Sequence, residues 1–340
     1  MKQAMLYGAG DLRFEDFSLE PDQLGECEVF VKTDVTALST GTDLGNYLGD
    51  STYVPDAPGY PRAVGYSNVG TVQAVGSAVE NLRVGQRVFS TRPHQSAYIA
   101  PADDVLVPVP DGVSCEQATL SYLTHLGIAA LRQAQYQAGE HVAVVGLGVI
   151  GLSTVALARA MGAKVVGIAN SPLRNEAAIK VGAHATYLAS EISKAEDLYE
   201  VFGETGTDLV ILTANPWPAY RLSVEIARIG GRVSILGFPG RGQPVPDFNP
   251  LDPTCFYAKQ LVLLGAGNAP RVDCPASEIR FNIRRNLAYI LELMASGAMN
   301  LESLISHRLP APRMKEAYEM AKEHSKSLIA AVFDWRNVDT

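Results

Sequence analysis

The stretch His141-Val-Ala-Val-Val-Gly146-Leu-Gly148-Val-Ile-Gly151 decides the fold of this chain. It opens as a short apolar run, continues with glycines in the spacing Gly-x-Gly-x-x-Gly, and leads into residues with helical apolar periodicity. A glycine-rich turn between a buried strand and a helix gathers free backbone N–H groups at the positive end of the helix dipole. The stretch therefore predicts a strand–turn–helix unit that binds the pyrophosphate of a dinucleotide.

Alternating strands and helices continue from this unit. Apolar periodicity predicts helices over Val149–Met161, Pro172–Val181 and Ala219–Ile229, and strands over His141–Gly146, Lys164–Asn170, Ala185–Leu188, Asp208–Thr213 and Arg232–Leu236. This rhythm is typical of an α/β fold with a doubly wound parallel sheet.

The two ends of the chain have a different pattern. Near the amino terminus, glycine and proline punctuate the strand-like segments Val29–Val35, Val69–Val75 and Arg87–Ser90, which indicates antiparallel strands with tight turns. Near the carboxyl terminus the pattern predicts a helix over Asn286–Ser296 and a strand over Ser327–Phe333.

Composition narrows the classes of function. Of 340 residues 47% are hydrophobic and 19% charged, which is typical of a globular protein. The net charge of −8 argues against nucleic-acid and membrane partners. The cysteines Cys27, Cys115, Cys255 and Cys274 are far apart, which excludes a disulfide scaffold and favours the cytoplasm. The first residues lack a signal-peptide pattern, and the uncharged run Val142–Ala158 is short for a membrane span.

The end of the strand Lys164–Asn170, the second strand of the dinucleotide-binding unit, indicates which dinucleotide binds. An NAD site usually has a carboxylate there, about 20 residues after the glycines, that holds the ribose 2′-hydroxyl. This chain has Asn170 and Ser171, followed by Arg174 in the first turn of the next helix. A guanidinium can bind a 2′-phosphate, so the sequence predicts NADP(H). The alternative is that Arg174 is a solvated surface residue and the site does not discriminate.

Further segments resemble one known family. They are Thr36–Asp43 (TALSTGTD), Gly65–Gly70 (GYSNVG), Val84–Val88 (VGQRV), Gly230–Gly237 (GGRVSILG) and Ile305–Arg308 (ISHR). With the glycine fingerprint, they make the chain resemble the medium-chain dehydrogenase/reductases over nearly its whole length.

The resemblance implies a fold and a place for the site. Residues 1–125 and 276–340 would form a GroES-like β-barrel catalytic domain, residues 126–275 a Rossmann domain, and the active site would lie between them. The barrel segments are most similar to the bacteriochlorophyllide dehydrogenase subgroup, whose members oxidise a hydroxyethyl side chain on a chlorin ring.

Departures from the family concern zinc. Zinc-dependent members have Cys where this chain has Thr40, Gly-His-Glu where it has Gly65-Tyr66-Ser67, and a further ligand near Tyr122. The cysteine-rich lobe that holds a structural zinc is also missing from Phe89–Ala97. Zinc needs three or four N, S or carboxylate ligands, so the sequence predicts neither a catalytic nor a structural zinc.

The catalytic candidates are the hydroxyl groups at those positions. Hydride transfer to a carbonyl builds negative charge on oxygen, and without zinc a hydrogen-bond donor or general acid must stabilise it. Tyr66 is the first candidate because a phenol both donates a hydrogen bond and delivers a proton, and Thr40 and Tyr122 are further candidates. The alternative is that Tyr66 only fills space, with its hydroxyl bonded to a carbonyl group.

Polar neighbours complete the candidate set. Ser39 and Ser67 would assist Tyr66, and His125 would relay a proton. His94 would line the cleft from the barrel, and the alternative is that it is an ordinary loop residue. Asp43 is expected to hold the barrel loop through charge-assisted hydrogen bonds.

The cofactor-binding candidates come from the fingerprint, the second strand and the resemblance. The fingerprint supplies Gly146, Gly148, Val149, Ile150 and Gly151; the second strand supplies Asn170, Ser171 and Arg174; and the resemblance places Thr213, Ala214, Gly237 and Phe238 around the nicotinamide half.

The substrate and the partner copy leave weaker signals. Tyr53, Tyr60, Trp217 and Phe256 would furnish an aromatic lining, although each also fits ordinary packing. The family often makes its dimer contact in the region of Gly240–Asp247, so a homodimer is expected.

These observations support three hypotheses. The first is a zinc-independent, NADPH-dependent oxidoreductase that interconverts an alcohol and a ketone or aldehyde on a small-molecule substrate of medium size, cyclic substrates included. The second is an NADPH-dependent reductase of conjugated C=C bonds. The third is a non-catalytic NADPH-binding protein, because the fingerprint argues only for cofactor binding.

Overall fold

A computed structural model describes residues 1–50, 58–267 and 280–338. The chain divides into two compact units. The first comprises Met1–Tyr122, Pro270–Gly297 and Ile305–Thr340, and the second comprises Leu123–Ala269 and Ala298–Leu304. Tyr53, Cys274 and the predicted domain boundary at residue 275 lie outside the described residues.

The elements that precede the glycine fingerprint are mostly strands. In chain order they are β1 (Lys2–Leu6), β2 (Leu12–Asp16), β3 (Glu28–Ala37), α1 (Thr42–Leu48), β4 (Arg62–Ala63), β5 (Asn68–Val75), β6 (Arg87–Ser90), β7 (Ala97–Pro101), β8 (Leu106–Pro108), α2 (Cys115–Thr119) and α3 (Ser121–Gln133).

The elements that follow alternate and then return to the first unit. They are β9 (His141–Val145), α4 (Val149–Ala160), β10 (Lys164–Ala169), α5 (Pro172–Lys180), β11 (Ala185–Leu188), α6 (Tyr199–Phe202), β12 (Thr207–Leu212), α7 (Trp217–Ile226), β13 (Ala227–Ile235), β14 (Val262–Gly265), α8 (Ile283–Ala295), β15 (Ile305–Pro310), α9 (Met314–Lys322) and β16 (Ala330–Asp334).

Strand β3 organises the main sheet of the first unit, whose order is β15-β16-β3-β5-β6-β8. It pairs antiparallel with β5 along one edge, and with β7 and β16 along the other. Buried and half-buried residues alternate along most of its length, which is the pattern of a strand with one face on a core. β5 pairs antiparallel with β6, so the predicted antiparallel strands of this region are confirmed.

An aromatic core supports the small sheet β2-β1-β4 and the last helix of the first unit. Tyr47 from α1 packs against Tyr318 from α9, with ring centroids 5.1 Å apart. Trp335, which follows β16, is fully buried and lies 5.9 Å from the ring of Phe14. These contacts fix α1, and therefore the loop that precedes it, on the core of the unit.

The second unit is a parallel sheet in the order β11-β10-β9-β12-β13-β14. β9 lies between β10 and β12, and each of these pairs runs parallel. β9, β10 and β12 each contain four consecutive buried residues without a polar side chain, as expected for strands covered on both faces. The predicted doubly wound parallel sheet is confirmed.

One predicted helix is wrong at its carboxyl end. The sequence predicts helix to Ile229, whereas α7 ends at Ile226 and β13 begins at Ala227. The Lys259 ammonium group donates hydrogen bonds to the carbonyl oxygens of Val224, Glu225 and Ala227, at 3.2, 2.6 and 3.1 Å. A distant lysine therefore satisfies the last carbonyl groups of the helix, which local periodicity cannot show.

No helix within residues 1–50, 58–267 and 280–338 is both long enough and apolar enough to cross a bilayer.

Candidate active site and cofactor site

The glycine fingerprint forms a tight turn between β9 and α4. Gly146 has φ +97°, a conformation that residues with a side chain rarely adopt. A Cβ atom at Gly151 would lie 1.9 Å from the carbonyl oxygen of Gly146, so helix and strand pack too closely for any side chain there. At Gly148 nothing lies within 4 Å of the Cβ position, and this glycine is exposed. The turn therefore leaves open space where a phosphate group would approach the backbone.

The first turn of α4 continues from these glycines. Val149 is buried and Ile150 is half-buried. The carbonyl oxygen of Ile150 accepts hydrogen bonds from the hydroxyl groups of Ser153 and Thr154, at 3.0 and 2.7 Å. The N–H groups at the start of the helix are left as the anion-binding end.

The carboxyl ends of β12 and β13 meet the fingerprint turn. The Thr213 hydroxyl donates to the carbonyl oxygen of Gly146 at 2.7 Å. A Cβ atom at Gly237 would lie 2.8 Å from the carbonyl oxygen of Ala214. The structure thus brings Thr213, Ala214 and Gly237 to the edge of the sheet where nucleotides bind in such folds.

Phe238 follows Gly237 and is an exposed aromatic residue. Its backbone N–H donates to the side-chain oxygen of Asn215 at 2.9 Å, and 58% of its surface is accessible. The guanidinium carbon of Arg241 lies 3.5 Å from the centroid of its ring. Exposure leaves this ring able to contact a ligand at the same edge.

The end of β10 holds the residues predicted to select the dinucleotide. Asn170 is exposed, and Ser171 precedes α5 as its N-cap residue. Arg174 lies in the first turn of α5, and its backbone N–H donates to the Ser171 carbonyl oxygen at 3.0 Å. Partial burial lowers the pKa of the Arg174 guanidinium from its ordinary value, and the group stays charged at neutral pH.

Tyr66 is the centre of the candidate catalytic group in the first unit. Its hydroxyl donates to the Ser39 hydroxyl oxygen at 2.5 Å. Its ring lies 4.9 Å from the Tyr122 ring at an interplanar angle of 62°, an edge-to-face contact. Burial raises the pKa of Tyr66 above its ordinary value, and the negative charge of Asp43 adds to the shift. The phenol is therefore protonated at neutral pH, and in this structure it donates its hydrogen to Ser39.

Asp43 ties together the two loops that carry these hydroxyl groups. Its carboxylate accepts the backbone N–H of Ser39 at 2.9 Å and the backbone N–H of Gly65 at 3.1 Å. The residue is 1% exposed, and burial raises the pKa of the carboxyl group to about 7. These contacts agree with the loop-holding role expected for Asp43.

The remaining catalytic candidates lie in different settings. Thr40 is half-buried in the loop between Ser39 and α1. His125 lies on α3, like Tyr122, but falls in the second unit. It is 1% exposed, and burial lowers its pKa to about 4, so the ring is neutral at neutral pH. The structure therefore brings Tyr66 and Tyr122 together within the first unit, and His125 falls in the second unit.

His94 lies in the loop between β6 and β7, as the loop alternative predicts. It is fully buried, and its Nδ1 atom lies 2.8 Å from the Thr36 hydroxyl oxygen. The backbone of Gly65 packs so closely on the ring that a Cβ atom there would lie 2.6 Å from it. Burial lowers the pKa of His94 to about 3. The sequence offers His94 as a candidate but gives no sign that it packs on Gly65 and faces Asp43.

The aromatic residues predicted to line a substrate pocket have other surroundings. Trp217 and Phe256 pack on the core of the second unit. Tyr60 belongs to the first unit, and its hydroxyl donates to the carbonyl oxygen of Asn46 at 3.3 Å. Trp217 also contacts the Gly240–Asp247 region, because its ring nitrogen donates to the Pro244 carbonyl oxygen at 3.1 Å.

The residues at the family's zinc-ligand positions do not fit a zinc ion. Thr40, Tyr66 and Tyr122 offer neutral hydroxyl groups, whereas zinc prefers thiolate, imidazole and carboxylate ligands. The Tyr66 oxygen is already hydrogen-bonded to Ser39, and its raised pKa disfavours the phenolate that a metal would need. In the part of the chain that the structure describes, no group of three or more His, Cys, Asp or Glu side chains is arranged to hold a metal ion.

Two family models match the chain. The alcohol dehydrogenase GroES-like domain matches residues 25–120, and the zinc-binding dehydrogenase model matches residues 149–273. The chain belongs to the medium-chain dehydrogenase/reductase family. Its fold is the α/β arrangement of this family, with a GroES-like domain and a Rossmann-like parallel sheet, as the sequence predicts.

Individual members of the family are distant in sequence and similar in fold. A sorbitol dehydrogenase of Bacillus subtilis is 25% identical over 354 residues, which cover 94% of this chain and 93% of that protein. The crystal structure of galactitol-1-phosphate dehydrogenase from Escherichia coli superposes with a TM-score of 0.81 at 21% identity, covering 98% of this chain and 100% of the other.

A further solved structure was determined with a dinucleotide. It is a putative zinc-binding dehydrogenase from Sinorhizobium meliloti 1021 bound to NADP, with a TM-score of 0.77, 20% identity, and 98% of both chains covered. The comparisons together support an oxidoreductase of the alcohol dehydrogenase type.

Proposed function

We propose that this medium-chain family member is an NADPH-dependent oxidoreductase that interconverts an alcohol and a ketone or aldehyde of medium size without a catalytic zinc. The observation that carries the proposal is the protonated Tyr66 hydroxyl. It is held at 2.5 Å from Ser39, in the loop position where zinc-dependent relatives have a metal ligand. A relative that acts on a polyol, sorbitol dehydrogenase, supports an alcohol as the substrate class.

The cofactor residues support NADP(H). A nicotinamide cofactor, when bound, supplies or accepts the hydride. Gly146, Gly148 and Gly151 leave the open backbone turn for its pyrophosphate, and Arg174 offers a cation for its 2′-phosphate. The Sinorhizobium neighbour that was solved with NADP is consistent with such a cofactor.

Tyr66 would do the acid–base work. When the carbonyl carbon is reduced, negative charge develops on its oxygen, and the Tyr66 O–H donates a hydrogen bond and then its proton to that oxygen. Water would then return a proton to Tyr66, and the Ser39 hydroxyl, which accepts the Tyr66 hydrogen at 2.5 Å in this structure, would keep the phenol oxygen in place. In the oxidation direction the same groups take the proton from the alcohol. The ring of Tyr122 packs on Tyr66 and limits how far it can turn.

The experiment begins with protein from which metal has been removed and whose zinc content has been measured. NADPH and NADH oxidation are followed with a panel of sugar-derived and cyclic ketones, and separately with conjugated enones. The proposal expects NADPH oxidation with at least one ketone, formation of the corresponding alcohol, and no gain on addition of zinc. Saturation of the enone C=C bond identifies a conjugated-alkene reductase instead. Tight NADPH binding with no turnover identifies a non-catalytic binding protein.

Calorimetry tests the cofactor preference separately. NADPH is expected to bind at least tenfold more tightly than NADH, which corresponds to about 1.4 kcal/mol. Equal affinities would contradict the role given to Arg174. A cytoplasmic homodimer is part of the same proposal, and sedimentation velocity of the purified protein measures the assembly.

A further inference from the structure

Asp43 holds two separate loops with one buried carboxylate. The N–H of Ser39 and the N–H of Gly65 both donate to it, at 2.9 and 3.1 Å. Ser39 is the hydrogen-bond partner of Tyr66, and Gly65 precedes Tyr66 in the chain. Asp43 therefore holds both partners of the Tyr66–Ser39 hydrogen bond, Ser39 directly and Tyr66 through the preceding residue, Gly65.

His94 is the group that faces this carboxylate. Its Nε2 atom lies 4.0 Å from Oδ2 of Asp43, and the two side chains are 0% and 1% exposed. Within the described residues Nε2 has no hydrogen-bond partner. A buried carboxylate is costly unless donors or a partner compensate it, and the two N–H groups are the donors already present. The imidazole edge faces the same carboxylate from just beyond hydrogen-bond distance.

Two hydrogen bonds orient the His94 ring. The ring N–H of Trp335 donates to the Thr36 hydroxyl oxygen at 2.9 Å, and that oxygen lies 2.8 Å from Nδ1 of His94. Because the Thr36 oxygen already accepts a hydrogen from Trp335, its own hydrogen is available for Nδ1. With Thr36 as the donor to Nδ1, the single ring hydrogen of the neutral imidazole is on Nε2, the atom that faces Asp43.

The surroundings leave the ring little freedom. The Gly65 backbone packs against one side, and the Phe333 ring lies 5.3 Å away at 83°. A shift of the ring would displace Gly65, and with it the N–H that donates to Asp43.

We propose that His94 and Asp43 form a positioning pair for Tyr66. In this arrangement Nε2–H of His94 supports the Asp43 carboxylate, and Asp43 holds the Ser39 and Gly65 loops so that the Tyr66 and Ser39 hydroxyls stay in contact. Neither residue of the pair touches substrate. This inference rests on the proposed function of Tyr66.

Two conservative replacements of His94 separate this role from simple space filling. The side-chain nitrogen of glutamine can occupy the place of Nε2, so His94→Gln keeps a donor towards Asp43. Asparagine can replace Nδ1 only, so His94→Asn keeps the Thr36 contact and loses the donor. The exposed His324, with φ +52°, is the matched control, since asparagine tolerates that backbone conformation.

The kinetic test uses the ketone that the panel identifies. We expect His94→Asn to lower kcat by about 10- to 100-fold, the cost of a misplaced catalytic group, with the NADPH dissociation constant unchanged. His94→Gln retains most of kcat, and His324→Asn matches the wild type. Equal losses in the two His94 variants, or a larger loss in His94→Gln, would overturn the proposal.

A double-mutant cycle shows whether His94 acts through Asp43. Asp43→Asn cannot accept both N–H groups in the same way, so it lowers kcat by itself. If His94 acts only through Asp43, His94→Asn lowers kcat little further in the Asp43→Asn background. Additive losses, with all variants folded by thermal unfolding, would contradict the pairing.

Amide hydrogen exchange of the peptides that contain Ser39 and Gly65 gives a readout independent of activity. Exchange should accelerate in His94→Asn and stay near wild type in His94→Gln. If no ketone is turned over but exchange is faster in His94→Asn than in His94→Gln, the proposed function is wrong, while the conclusion that His94 and Asp43 hold the two loops remains. If exchange is not faster in His94→Asn than in His94→Gln, the positioning role is wrong. It is also wrong if exchange is faster in His94→Asn while kcat of that variant with an active ketone is unchanged.

Discussion

The two units encode their sites in different ways. In the second unit the site is a backbone shape, since a Cβ atom at Gly151 would lie 1.9 Å from a carbonyl oxygen and Gly146 needs φ +97°. In the first unit the site is a set of side chains from separate loops, held by the Asp43 carboxylate. Backbone requirements leave a fixed pattern of glycines in the sequence, whereas the contacts of the side-chain cluster join residues that are far apart in the sequence.

The largest expected effect tests the side-chain site. Tyr66→Phe removes the proposed proton donor and keeps the ring contact with Tyr122. We expect kcat with the active ketone to fall by about 100-fold or more, as for loss of a general acid, with the NADPH dissociation constant unchanged. Tyr257→Phe is the control, because Tyr257 is 80% exposed. A Tyr66→Phe protein with wild-type kcat would leave the first unit without an identified donor.

The backbone site is tested by two alanines. Gly151→Ala forces a methyl group against the Gly146 carbonyl and should reduce the free energy of unfolding by about 3 kcal/mol, measured by urea denaturation. Gly148→Ala meets open space, so stability should stay within about 0.5 kcal/mol while NADPH binds more weakly in calorimetry. Equal losses of stability in Gly151→Ala and Gly148→Ala would contradict the expectation that only position 151 has no room for a side chain.

The buried carboxyl group of Asp43 predicts a pH-dependent stability. Its pKa is raised from 3.8 to about 7, so between these values the folded state binds more protons than the unfolded state. Its contribution therefore falls as pH rises through this window, by at most about 1.4 kcal/mol per pH unit. Urea unfolding of wild type and Asp43→Asn at several pH values isolates the effect. A difference between them that does not change from pH 5 to pH 7 would contradict it.

The smallest expected effect concerns cofactor choice in the second unit. Arg174→Gln removes the cation next to Ser171 and should weaken NADPH binding about tenfold, or about 1.4 kcal/mol, with NADH binding unchanged. Calorimetry measures both, and Arg83→Gln on the exposed surface of the first unit is the control. Equal weakening of NADH would indicate that Arg174 supports the fold of the site rather than a 2′-phosphate.

The sequence predicts the second unit well because its elements follow from local pattern. Apolar runs and glycine stops locate β9, α4 and β10 to within a residue or two. The predicted carboxyl end of α7 is wrong because the residue whose side chain binds the last carbonyl groups, Lys259, lies more than thirty residues later in the chain. Local periodicity does not contain such a partner.

The first unit shows the limit of local reasoning. Tyr66 and Asp43 stand out from the sequence because each occupies a position in a motif. The position of His94 depends on Trp335 and Thr36, which the strands β16 and β3 bring together. A contact over such a sequence distance is a property of sheet pairing, so the sequence indicates which residues are unusual and the fold determines which of them meet.

The close packing of His94 on Gly65 means that positions 65 and 66 differ in which substitutions they can accept. Position 65 admits no side chain, since the backbone has φ +91° and a methyl group would enter the imidazole ring. Position 66 is half-buried and has room for a large aromatic ring. In a saturation library screened for folded protein, position 65 would return almost only glycine, while position 66 would accept other side chains. A fixed residue next to a replaceable one gives this loop the means to change its reaction while it keeps its shape.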